Sequence, residues 1–142
     1  METKKILLPF DGSTHSVNAA KYALDLAKLF GAHVNIIYCF DWRENMFEVP
    51  DILISELKKR RQEEADNTLK IAGDIFVNQG VKYTLKAQMG LPGDILVRLA
   101  ESKEYDLIIM GSHGHSDIAG IFLGSVTHKV LNTIYCPVLI VP

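Results

Sequence analysis

Short apolar runs alternate along the chain with stretches in which apolar residues recur every three or four positions. The run Lys5-Ile6-Leu7-Leu8-Pro9 stops at Asp11-Gly12-Ser13, the pattern of a buried strand entering a turn. Ser13 is placed to cap the helix that follows, whose apolar face is Val17, Ala20, Leu24 and Ala27, and Gly31 stands where a C-terminal glycine belongs. A second strand is expected over residues 34–40, followed by a polar stretch, residues 41–45, that leads to Pro50. The pattern from about Asp51 to about Asn78 is helical again. Ile54, Leu57, Ala65, Leu69, Ala72 and Phe76 form its apolar face, Arg61 interrupts it, and Gly80 ends it. Residues 81–87 alternate like a strand with one wetter face. Pro92 opens a short helix through Ile95, Leu96 and Leu99, and residues 106–110 are a strongly apolar fourth strand. A glycine-rich loop over residues 111–124, a helix over 125–132 and a last strand over 137–141 complete the series. Strands and helices alternate throughout, which predicts a parallel sheet covered on both faces by helices.

The 142 residues suit one domain, expected over residues 1–142, and a balance of 48% hydrophobic to 23% charged excludes a disordered chain. Fifteen Lys and Arg against seventeen Asp and Glu leave no basic footprint, so nucleic acid is not expected as a partner. Apolar runs such as residues 6–10 are too short to span a bilayer, and Met1-Glu2-Thr3-Lys4-Lys5 does not lead into a secretory apolar region. Cys39 and Cys136 have no zinc or CxxC spacing and read as small hydrophobes in strands of a reduced, cytoplasmic protein.

An open parallel sheet binds ligands beyond the carboxyl ends of its strands, where strand order reverses. The most informative such segment is Gly111-Ser112-His113-Gly114, with nine residues between Gly114 and Gly124-Ser125. Glycines there can aim several amides into one concavity, and Ser125 opens a helix, whose N-terminus favours phosphate. The same glycines also serve a plain surface loop of tight turns. No GxxxxGK[ST] is present, no Lys or Arg lies between Gly111 and His128, and no carboxylate ends the fourth strand to hold magnesium. Nor does GxGxxG follow the first strand. Phosphate binding would therefore fall almost entirely to backbone amides and hydroxyls.

The spacing Gly-x2-Gly-x9-Gly-Ser at Gly111, Gly114, Gly124 and Ser125 resembles the ATP-binding signature of the universal stress protein family. The opening Ile6-Leu7-Leu8-Pro9-Phe10-Asp11-Gly12-Ser13 and the closing Cys136-Pro137-Val138-Leu139-Ile140-Val141 resemble that family too, so the likeness runs the length of the chain. It implies an α/β fold of the adenine nucleotide alpha hydrolase-like type, an open parallel five-stranded sheet of order 3-2-1-4-5 with helices on both faces. It implies ATP, with or without magnesium, lying over the first and fourth strands. Carried over, Asp11 would hold the ribose hydroxyls, Pro9 would lie beside the nucleotide and the backbone of Cys39 would meet the adenine edge. Gly111, Gly114, Gly124, Ser125 and Val126 would wrap the phosphates. His113 and His115 are not part of the signature. The resemblance also implies a homodimer, with the edge strand Val138-Leu139-Ile140-Val141 pairing antiparallel with its twin.

Other signals carry less. His113, His115 and His128 fall around the loop, but two imidazoles one residue apart, with no cysteine nearby, make a poor metal site. Lys58-Lys59-Arg60-Arg61 is flanked by Glu56, Glu63, Glu64 and Asp66 and reads as a solvated helix face. Asp11 and Asp41 form no argued acid–base pair, and no nucleophile has an adjacent base, so no catalytic residue is assigned. The expected function is a dimeric, nucleotide-responsive ATP-binding module of stress response. The alternatives are a slow ATPase or nucleotidyl-transfer enzyme on the same fold, and a protein-interaction scaffold that binds no nucleotide.

Overall fold

Ile6 and Leu8 are completely buried beneath one helical layer and Leu7 beneath the other, so the first apolar run is a strand covered on both faces. Such a strand belongs at the centre of a parallel sheet. The computed structural model describes residues 2–41, 49–115, 117, 120, 122–133 and 135–142; the polar stretch expected after Asp41 lies mostly outside them. The elements are β1 (Lys5–Pro9), α1 (Thr14–Phe30), β2 (His33–Phe40), α2 (Asp51–Phe76), β3 (Tyr83–Met89), α3 (Pro92–Glu101), β4 (Leu107–Gly111), α4 (Ser125–Leu131) and β5 (Val138–Val141). All pairings are parallel and the order is β3-β2-β1-β4-β5, as expected.

Strand order reverses between β1 and β4, and the helices divide accordingly. On one face, α1 and α2 pack on Ile6, Leu8, Val34, Ile36 and Ile109. On the other, α3 and α4 pack on Leu7, Ile37, Ile108 and Met110. Neighbouring residues such as Ile36 and Ile37 enter different cores because side chains alternate along a strand. Ser13 caps α1 by accepting from the Ser16 N–H at 3.2 Å, and Gly31 closes it in the left-handed region at φ 65°. Pro92 occupies the first turn of α3.

Two expectations are corrected. The third strand begins two residues later than its alternation suggested, because its register is set by β2, from Val34↔Tyr83 to Phe40↔Met89. Val81 instead packs on the core from the preceding segment. In α2, Ala65, Leu69, Ala72 and Phe76 are buried, but Ile54 and Leu57 are only half-buried. At 1.5 Å per residue its 26 residues span about 39 Å, against about 26 Å for the eight residues of β2. Its N-terminal half therefore projects past the carboxyl ends of the strands, with no sheet beneath it.

At the opposite end of the sheet, one Asp106 carboxylate oxygen accepts from the N–H groups of Lys4 and Lys5 at 2.8 and 2.9 Å, and the Asp106 N–H donates to the Lys5 carbonyl at 2.9 Å. This clamp holds the start of β1 against β4, and the Lys4 and Lys5 amides hold the carboxyl below its usual range. Because folding lowers this pKa, the stabilisation is complete above the unfolded value of about 3.9 and is lost as pH falls through the folded value. Asp106→Asn, which mimics the protonated acid, is expected to lower stability at pH 7 by about 1 kcal/mol. The difference from wild type should shrink as pH falls below about 4. Urea midpoints across pH 2.5–7 check this, and a pH-independent difference would show that the ionised carboxylate is not responsible.

Candidate functional site

A cleft of about 460 Å³ opens beyond the carboxyl ends of β1, β2 and β4, at the reversal of strand order. Pro9, Asp11, Cys39, Gly111, Gly114, Ser125 and Val126 all line it, so all but one of the residues expected at the site converge there. The exception, Gly124, is buried directly before Ser125. A second cavity, of about 200 Å³, lies between α3 and β3, among Lys86, Arg98 and Tyr105, away from the glycine loop.

Ile37, Leu96 and Met110, which belong to one apolar cluster, line the cleft, as does Leu91. Backbone alternation adds a polar edge beside Ile37. The Ile37 carbonyl accepts from the Phe10 N–H across to the β1 side, and the Phe40 carbonyl accepts from the Gly90 N–H across to the β3 side. Peptide groups two residues apart point the same way, so the peptide of Cys39 faces the β1 side, past the point where β1 has ended. The thiol of Cys39 is half-buried, and desolvation pushes its pKa up to about 12, which argues against a role as a nucleophile.

Asp11 follows β1. Its Oδ1 accepts from the Ser13 N–H at 2.9 Å and its Oδ2 from the His115 N–H at 3.1 Å. Burial pushes this carboxyl up, but hydrogen bonds from Ser13, His115 and Ser16 outweigh it and hold the group below the usual range. The side chain thus ties the start of α1 to the glycine loop.

That loop is organised around a carboxylate that sequence reasoning missed. Asp117 Oδ2 accepts from the Gly114 N–H at 2.5 Å, and its Oδ1 accepts from the Ser125 N–H at 3.1 Å and the Ser125 hydroxyl at 3.4 Å. Behind it, the Gly124 N–H donates to the Ser112 carbonyl at 2.8 Å, and the buried Thr127 hydroxyl to the Gly111 carbonyl at 2.9 Å. A Cβ on Gly124 would overlap the Asp117 carboxylate, 2.9 Å from its Cγ, and one on Gly114 would sit 2.6 Å from Asp11 Oδ2. Gly111 answers to a different neighbour: its Cβ would lie 2.9 Å from the His15 carbonyl carbon, so it admits α1. None of these three glycines has a positive φ. The requirement at each is space.

His113 and His115 line the cleft, whereas the exposed His128 does not. His113 Nδ1 lies 3.0 Å from Ser112 Oγ, which in turn lies 3.4 Å from His15 Nδ1. Arg61, read from sequence as a solvated position, is the one Lys or Arg among the described residues that line the cleft. The projecting half of α2 brings it there. Its interruption of an apolar face was the available signal.

This strand order, with a crevice at its reversal walled by glycines and backbone amides, defines an adenine nucleotide alpha hydrolase-like fold. The model of the universal stress protein family matches residues 2–142. A curated relative, universal stress protein MJ0531 of Methanocaldococcus jannaschii, is 40% identical over 97% of this chain and 81% of its own length. The solved structure of MJ0577, a universal stress protein of the same organism, superposes with a TM-score of 0.85 at 33% identity, covering 99% of this chain and 96% of that one. A universal stress protein solved in complex with cAMP has a TM-score of 0.73 at 27% identity, over 99% of this chain and 98% of that one. The chain belongs to the universal stress protein family.

The contact that Gly114 avoids is testable without any ligand. Gly114→Ala is expected to lower stability by roughly 1–3 kcal/mol through overpacking. The loss should nearly vanish in an Asp11→Ala background, where the colliding oxygen is gone. Chemical unfolding of the four proteins in this cycle measures the coupling, and an equal loss in both backgrounds would place the strain elsewhere.

Proposed function

We propose that residues 1–142 form one ATP-binding universal stress protein domain that works in the cytoplasm as a homodimeric, nucleotide-responsive module of stress response. The observation that carries this reading is the composition of the cleft. An apolar wall with the Cys39 peptide at its edge lies in one chamber with a set of N–H and O–H donors that already hold a carboxylate. A flat heteroaromatic base fits the first and an anion the second. The cAMP complex of a relative shows that a universal stress protein can take an adenine nucleotide.

In this reading the Cys39 backbone meets the base and Asp11 accepts from the ribose hydroxyls, with Pro9 beside the nucleotide. Gly114, Gly124, Ser125 and Val126 surround the phosphates, and Gly111 holds the loop against α1. The nucleotide is ATP or its magnesium complex; among the described residues no three His, Cys, Asp or Glu group into a metal site. No described helix is long and apolar enough to cross a membrane. The two cysteines are free thiols, which suits a reducing compartment.

Chromatography of nucleotide released from denatured protein is expected to yield ATP. ADP with steady turnover would favour the slow enzyme, and no nucleotide would favour the scaffold. Because Asp11 also holds Ser13 and His115, the ribose role needs a comparison of ligands. Asp11→Ala is expected to weaken ATP by about 1.5–3 kcal/mol, the range for bonds to a charged group, and a 2′,3′-dideoxy analogue much less. Equal losses by calorimetry would mean that Asp11 acts only through the loop.

The dimer rests on the outer edge of β5. The Pro137 and Val141 carbonyls accept from the Ile108 and Ser112 N–H groups of the β4 side, so by alternation Val138 and Ile140 direct their peptides outward. A bare apolar edge is a template for pairing, here with the same strand of a second copy. Ile140→Pro removes an outward donor while sparing the β4–β5 ladder. It is expected to give a folded monomer by sedimentation that still binds ATP. A mutant that stays dimeric would refute edge pairing, and a folded monomer that no longer binds would mean that the site depends on the partner.

A further inference from the structure

Three donors that the described part of the loop offers are already taken. The Gly114 N–H, the Ser125 N–H and the Ser125 hydroxyl all converge on the two oxygens of Asp117, and the space that Gly124 leaves by lacking a side chain is filled by that same carboxylate. A carboxylate and a phosphoryl group present oxygens of similar reach and charge to such donors, so the two cannot share them. We infer that Asp117 is the resident anion of the phosphate cradle and that a nucleotide phosphate binds there by displacing it. The inference rests on the nucleotide reading above and adds the residue that sets how strongly a phosphate is held relative to the nucleoside part.

Electrostatics point the same way. Asp11 Oδ2 and Asp117 Oδ2 both come close to the Gly114 position: a Cβ there would lie 2.6 Å from the first and 3.7 Å from the second. No Lys or Arg occurs between Gly111 and His128, and Arg61 is the one such residue among the described lining of the cleft. A phosphate entering beside both carboxylates would be a third anion in one low-dielectric pocket. Asp11 is anchored by the N–H groups of Ser13 and His115, whereas the partners of Asp117 are donors that the phosphate itself would satisfy. Asp117 is therefore the group that leaves. Adenosine, which carries no phosphate, binds without moving it.

Calorimetry of ATP and of adenosine on nucleotide-free wild type, Asp117→Ala and Asp117→Asn tests this. Asp117→Ala is expected to bind ATP about tenfold more tightly, equivalent to 1.4 kcal/mol, with adenosine unchanged. Asp117→Asn, which keeps one acceptor oxygen without the charge, should gain in the same direction by less, and it serves if the alanine variant fails to fold. In wild type the amide resonances of Gly114 and Ser125 should respond to ATP and not to adenosine. ATP binding that weakens or stays the same in both variants, while wild type binds it, would overturn the displacement and leave the nucleotide reading standing. Absence of binding of either ligand to wild type and variants alike would overturn the nucleotide reading and this inference together.

Discussion

The structure depends on one boundary, the parallel pairing of β1 with β4. Chain order reverses there, so the helices before and after it leave on opposite faces and a cleft opens beyond the strand ends between them. At the amino ends Asp106 ties β1 and β4 through three hydrogen bonds. At the carboxyl ends β1 stops at Pro9 while β2 runs on to Phe40, and that difference in length leaves the Cys39 peptide facing into the crevice. The cleft is thus a consequence of topology before any particular side chain is considered.

What fills this crevice follows from the cost of leaving peptide N–H groups without acceptors. A loop that aims amides inward must supply anions of its own or receive one. This chain does the first with Asp11 and Asp117, which together take the N–H groups of Ser13, Gly114, His115 and Ser125. Backbone donors have fixed directions, so a cradle built from them keeps its geometry when the occupant changes. A flexible lysine would adapt to many anions at an entropic cost in side-chain ordering. The absence of Lys and Arg from the loop is therefore consistent with its chemistry, and Arg61 on α2 contributes a cation only from the rim.

The ends of β1 and α1 and the start of α3 were legible in the sequence because each has a local cause: a doubly buried run, a Ser cap with a Gly stop, a first-turn proline; the strand order came from the family resemblance. The start of β3 and the depth of α2 were not legible, since the first is set by pairing with β2 and the second by packing against the sheet, and neither has a local signal. At the site, residues singled out by spacing or by the family resemblance converge, whereas Asp117 was not singled out and Arg61 was read only as a break in an apolar face and part of a solvated one. Asp117 was the one charged side chain in an otherwise uncharged glycine loop, and Arg61 a charge on an apolar helix face. Each broke a local pattern, and such breaks collect where function sits.

The glycine signature also separates into distinct physical demands. Gly111 makes room for the backbone of α1 at His15, Gly114 for the carboxylate of Asp11, and Gly124 for the carboxylate of Asp117. All three lie outside the left-handed region, so backbone conformation alone would accept alanine at each. The missing side chain of the first glycine serves helix–sheet packing, that of the second the tie between β1 and the loop, and that of the third the seat of the Asp117 carboxylate. A spacing that reads as one binding motif is three separate steric constraints, brought together because the β1–β4 boundary places α1, Asp11 and the loop around the same few ångströms of space.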